Sequence, residues 1–172
     1  MNNFLRPLLL SVFFGFFPAA SMSQAAEPTL CKTSETPIFS CKLKNTKTVS
    51  ICVSSDSTHG YVDYRFGKKS DVELSYSANN QFPNRKFHRG EVVYANNSDY
   101  LIWFTNGKYR YSAYSPARGV PGLSVSLNGD IVSRLECGNS GRGAVQAFKN
   151  SSPFIVEHGT GDLTVFEKLW AE

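Results

Sequence analysis

The 172-residue sequence predicts an all-β protein: a single antiparallel β-sandwich or small barrel of about seven to nine strands, carrying two disulfides. Three observations lead there. Asn-Gly dipeptides separate β-type runs at two places, 106–107 and 128–129. Apolar and polar residues alternate with a period of two over much of the chain. The four cysteines, an even number, all lie beyond an N-terminal apolar run.

That run reads as a cleavable secretory signal over residues 1–25. Arg6 gives a positive start, Pro7 to Phe17 are apolar, and Ser23-Gln24-Ala25 places small side chains where signal peptidase cuts, after Ala25 or Ala26. Roughly 20 apolar residues are needed to span a bilayer, about twice this run. Leu30 before Cys31 is not the small residue of a lipoprotein site. The expectation is a single domain over 26–172, with no membrane anchor after cleavage, in a periplasmic or secreted setting.

An exported chain with Cys31, Cys41, Cys52 and Cys137 is expected to form disulfides. Zinc is the rival, but there is no C-x-x-C pair and the histidines lack ligand spacing, so neither metal nor cofactor is expected. Four cysteines allow three connectivities. The shortness of one segment favours Cys31–Cys41, leaving Cys52–Cys137.

Along the chain, Ile38 to Lys44 and Thr48 to Ser54 flank Asn45-Thr46 as a hairpin. Phe39, Cys41 and Leu43 alternate on the first strand and Val49, Ile51 and Val53 on the second, so Cys52 points away from its apolar neighbours. Tyr61 to Phe66 is the next strand; after a turn at 67–70, Val72, Leu74 and Tyr76 alternate with Asp71, Glu73 and Ser75. Ser77 to Arg89 reads as a loop. Strands follow at Glu91 to Tyr94, Tyr100 to Phe104, Tyr109 to Tyr114, Leu123 to Leu127 and Ile131 to Cys137, the last four as two Asn-Gly hairpins. Ala144 to Phe148 fits a strand or a short helix, and Asp162 to Trp170 shows both periods.

Enzyme signatures are absent: no G-x-S-x-G, no H-E-x-x-H and no phosphate loop. Disulfide bonding would remove the thiolate nucleophile. His59, His88 and His158 read as loop or strand-end residues with no nucleophile or orienting carboxylate beside them, even in His158-Gly159-Thr160-Gly161-Asp162. Asp71 and Glu73 share one strand face and read as its solvated side. The chain carries 18 Lys and Arg against 14 Asp and Glu, too small an excess to imply nucleic acid.

Binding residues are better represented. Tyr109, Arg110, Tyr111 and Tyr114 lie on or after the first Asn-Gly hairpin; Tyr and Arg suit interfaces, although alternation suits Tyr109 and Tyr111 equally to a core. Asn84 to Arg89 is basic with one aromatic and could meet an acidic partner. Asn139-Ser140-Gly141-Arg142-Gly143 has the backbone freedom to approach a partner cleft. Ser140-Gly141 resembles the start of the S-G-x-x-Y string that bacterial lysozyme inhibitors insert into their enzyme. Ala144 replaces the tyrosine, and a mildly basic chain lacks the charge complementarity to basic lysozymes, so no site is carried over. The expectation is an exported non-catalytic binding protein engaging another protein. Its alternatives are an inhibitor or immunity-type protein against a cell-wall hydrolase and a carbohydrate-binding module of the envelope.

Overall fold

The computed structural model describes residues 28–56, 59–138 and 152–158, and among these it holds ten strands and no helix. β1 (Glu35–Lys42), β2 (Thr48–Ser54), β3 (Tyr61–Lys68) and β4 (Asp71–Asn79) form a four-stranded antiparallel meander. β5 (Phe87–Val93), β6 (Ser98–Asn106), β7 (Tyr109–Ser115), β8 (Gly122–Leu127) and β9 (Asp130–Glu136) form a second meander. β10 (Ile155–His158) completes that sheet in the order β10-β5-β6-β7-β8-β9.

Several expectations change. Of the two expected architectures, the two separate sheets fit the sandwich and not the closed barrel, and the strand number exceeds nine. The sheets are not wholly antiparallel, since β10 runs parallel to β5, pairing Ile155 with Phe87 and His158 with Gly90. β5 begins inside the segment read as a loop: Phe87 is fully buried, but His88 and Gly90 stand where its outer face would otherwise advertise large apolar residues. The stretches 1–25, 144–148 and 162–170 lie outside the described residues.

Turn chemistry explains the hairpins. Leu127 pairs with Asp130, and the central Asn128 and Gly129 both take positive φ, 53° and 99°, as a type I′ turn requires. The other hairpin is displaced by one residue from the expected turn. Asn106 is the last paired strand residue, opposite Tyr109, and the central pair is Gly107-Lys108, with positive φ at Gly107 alone. That is the type II′ pattern, glycine first.

The inner faces of both sheets share one core. Phe39, Val49, Ile51, Val62, Tyr64, Tyr76 and Ala78 from the small sheet meet Phe87, Ile102, Phe104, Ala113 and Leu123 from the large one. Phe104 is central: its ring centroid lies 4.2 Å from Tyr76, 4.9 Å from Tyr64, 5.0 Å from Tyr111 and 5.2 Å from Phe87. Aromatic pairs at these separations add roughly 0.5–1.5 kcal/mol each beyond area burial.

The disulfides are Cys31–Cys52 and Cys41–Cys137, correcting the expected pairing. Alternation is the reason. Cys41 shares the inward face of β1 with Phe39, and Leu43 just beyond β1 bridges to Cys137, so Cys41 meets the chain as it leaves β9. Cys52 faces the opposite side of the small sheet, where residues 28–31 cross it. On the chain-entropy view, sequence separations of 21 and 96 residues correspond to about 3 and about 4.7 kcal/mol. Nonreducing peptide mapping is expected to recover these two bridges and no peptide joining Cys31 to Cys41. Phe104→Ala is expected to lower the unfolding free energy by about 3–5 kcal/mol in urea titration, whereas a loss under 1 kcal/mol would contradict its central place.

Candidate functional site

Three places gather polar or aromatic side chains. The first is the outer face of the small sheet, where small residues let the chain's own N-terminal segment lie flat. The Leu30 N–H donates to Ser50 Oγ (2.9 Å), and Ser40 Oγ donates to the Pro28 carbonyl (2.9 Å). Beside this segment the Arg65 guanidinium forks onto both Glu35 carboxylate oxygens, at 2.6 and 2.8 Å, and reaches Asp63 Oδ2 at 2.6 Å. Tyr61 Oη (2.6 Å) and the Lys32 N–H (2.6 Å) also donate to Glu35.

Burial on its own would raise the Glu35 pKa, but the donors Arg65, Tyr61 and the Lys32 N–H outweigh it and hold the group at about 2. A strongly perturbed carboxylate is a usual mark of an active site. Here its lone pairs are occupied by donors and its side chain has no exposed surface. The arrangement clamps the N-terminal segment and leaves Glu35 no free oxygen for a substrate. Cys31, Glu35 and Cys52 lie close enough together to resemble a metal set, but both sulfurs are committed to a disulfide.

The second place is the outer face of the large sheet. Leu101, Trp103 and Tyr114 form a small buried cluster there. Gly122 makes room for it, because a Cβ at that position would stand 2.5 Å from the Tyr114 hydroxyl. His88 stacks on Trp103 (5.4 Å, 18° between planes), and its Nδ1 lies 3.0 Å from His158 Nε2. Arg110 passes over the Trp103 ring at 6.0 Å. Burial, then the neighbouring His158 and Arg110, lower the His88 pKa and keep that imidazole neutral.

The third place is concave. The β5–β6 and β7–β8 connections enclose a cavity of about 500 Å³ lined by Tyr94, Ala95, Asn96, Asn97, Asp99, Pro116, Ala117 and Arg118. Buried Asp99 knits the two connections together: Tyr94 Oη donates to Oδ2 at 2.7 Å, and the Ala117 N–H donates to Oδ1. Asn97 Nδ2 donates to the Ala117 carbonyl at 3.1 Å. Tyr94 and Val120 on these connections, and Val93 at the end of β5, are all exposed. The cavity size is typical of a ligand site.

Comparison with family models, curated proteins and solved structures finds no match.

The residues singled out from the sequence do not form one surface. Tyr111 turns inward to stack on Phe104 (5.0 Å), Tyr114 is buried on the outer face, and Tyr109 is exposed at the hairpin tip with Arg110 beside it. Ser140, Gly141 and Arg142 lie outside the described residues. In the basic stretch, Arg85 stacks on Phe82 (4.0 Å), Lys86 donates to the Pro153 carbonyl (3.1 Å) and Arg89 pairs with Glu157 (2.6 Å). Those cations tether neighbouring segments. Glu73 pairs with Lys47 (2.6 Å), in keeping with a solvated face.

The His88–His158 contact and the Tyr94–Arg118 cavity were not anticipated. Tyr94 closes an apolar run and Arg118 follows Pro116, but no local signal places the two connections side by side.

The clamp has a pH signature. A depressed Glu35 pKa contributes stability that is fully present above the ordinary value of 4.5 and fades as pH falls toward about 2. Urea titrations across that window are expected to show a smaller loss for Glu35→Gln than for the parent protein. At neutral pH, Arg65→Ala is expected to cost about 3–5 kcal/mol by leaving Glu35 buried without its cation; equal slopes with pH for parent and Glu35→Gln would refute the role.

Proposed function

We propose that this is a non-catalytic binding protein that engages another protein through the loop end of the large sheet. The observation that carries the reading is the pairing of a preorganised hollow with an exposed apolar and cationic rim. Tyr94, Val93 and Val120 offer apolar area, and Arg118 offers a fork of donors, on and beside two connections cross-linked through Asp99. Tyr and Arg dominate binding hot spots, and rigid loops lose little entropy on association. Two disulfides indicate an oxidising, extracytoplasmic compartment; a periplasmic or secreted location is part of the proposal, as is a cell-wall hydrolase as the partner.

A glycan is the second reading, favoured by Tyr94 beside Asn96 and Asn97 in the same hollow. An aromatic face with amide donors suits a sugar ring.

Affinity capture from envelope extract with the oxidised protein separates these readings. Saturable enrichment of one protein is expected, and Tyr94→Ala and Arg118→Ala are each expected to weaken it by about 30-fold, the size of a hot-spot loss, with thermal unfolding unchanged in Arg118→Ala and lowered in Tyr94→Ala, which takes a donor from buried Asp99. Capture that ignores both substitutions would exclude this surface. Retention on peptidoglycan that is lost in Tyr94→Ala would replace the protein with a glycan.

A further inference from the structure

The parallel docking of β10 on β5 brings together two imidazoles 70 residues apart in sequence. The geometry points to a copper(II) site in which His88 Nδ1 and His158 Nε2 serve as adjacent ligands. Metal–imidazole bonds of about 2.0–2.1 Å at a right angle put the two nitrogens about 2.9 Å apart, whereas a tetrahedral angle needs about 3.3 Å. The 3.0 Å hydrogen-bond separation already holds the two nitrogens within the reach of one ion. Tetragonal nitrogen and oxygen coordination is characteristic of Cu(II), which also leads the divalent affinity series, and imidazole suits it.

The surroundings support ligation. The two nitrogens share one hydrogen bond, so one of them carries a proton; once that proton has moved to the other nitrogen of its own ring, a small rotation of each ring turns both lone pairs toward one ion off the line between them. Both rings are half-buried and pack against Trp103, at 5.4 Å for His88 and 5.0 Å for His158, which limits the orientations they adopt. Glu157, next to His158, is engaged by Arg89 and does not compete for the rings.

Among the described residues no thiol or carboxylate completes a set of three with these histidines. The remaining positions therefore fall to water or to donors beyond the described residues. Arg110, over the Trp103 ring, opposes a bare dication and favours one that carries an anionic co-ligand.

Trp103 supplies the readout. Cu²⁺ titrated into the tag-free, disulfide-bonded chain at neutral pH is expected to quench tryptophan emission saturably at one equivalent. The electron paramagnetic resonance spectrum is expected to show coupling to two imidazole nitrogens. Loss even of outer-shell partners weakens metal sites by about 10–100-fold, so His88→Ala and His158→Ala are each expected to weaken binding by more than about tenfold. Acidification below the histidine range should release the ion, and Zn²⁺ should bind more weakly. Quenching unchanged in both variants, a parent spectrum without paired imidazoles, or Zn²⁺ binding as tightly as Cu²⁺ would each overturn the assignment. The parent spectrum decides the matter even if a variant fails to fold.

Discussion

Phe104 is the contact on which the arrangement of the two sheets depends. Its ring touches Tyr64 and Tyr76 from the small sheet and Phe87 and Tyr111 from the large one. Four strands therefore report to one side chain. A sheet is stable only when its apolar face is covered, and here each sheet covers the other through a layer of rings. Rings tolerate few packings, because offset and edge-on contacts have preferred separations. The Cys41–Cys137 bridge lies on the same inner side and holds the start of the small sheet to the end of the large one.

The outer faces are treated differently. The small sheet is closed by its own N-terminal segment, with serine hydroxyls, the Glu35–Arg65 clamp and Cys31–Cys52 meeting that segment's polar groups. Buried backbone there would be costly without such partners. The large sheet instead carries a tryptophan, a tyrosine and two histidines on its outer face, and its loops frame an open hollow. The polar groups on the outer face of the small sheet hold the chain to itself, whereas those at the loop end of the large sheet line a hollow.

What the sequence revealed and what it concealed follow from the range of the interactions. Asn128-Gly129 is legible because its constraint is local: both residues need positive φ. Asn106-Gly107 is legible only to within one residue, since glycine can stand second in a type I′ turn or first in a type II′ turn, and here it stands first. The inner faces of β1 to β4 follow from alternation. Even the cysteine pairing was partly written there, because Cys41 falls in phase with Phe39 and Leu43 while Cys52 falls out of phase with Val49 and Ile51. Missing was the knowledge of what covers each face, which is a tertiary property. The meeting of His88 with His158, and of Tyr94 with Arg118, depends on strand order and on loops brought together at one end of a sheet. No short window of residues encodes either.

The bridges join the first cysteine to the third and the second to the fourth. Synthesis from the N-terminus therefore presents three thiols, Cys31, Cys41 and Cys52, well before the fourth. Oxidation in order of appearance would trap Cys31 with Cys41, the wrong neighbour. The pairing is directed correctly only once the β1–β2 hairpin has turned Cys41 to one side and Cys52 to the other. The native pairs are in reach once strand pairing has set those faces and the end of β9 has brought Cys137 to Cys41. Maturation of this chain thus calls on disulfide reshuffling whenever oxidant reaches it early.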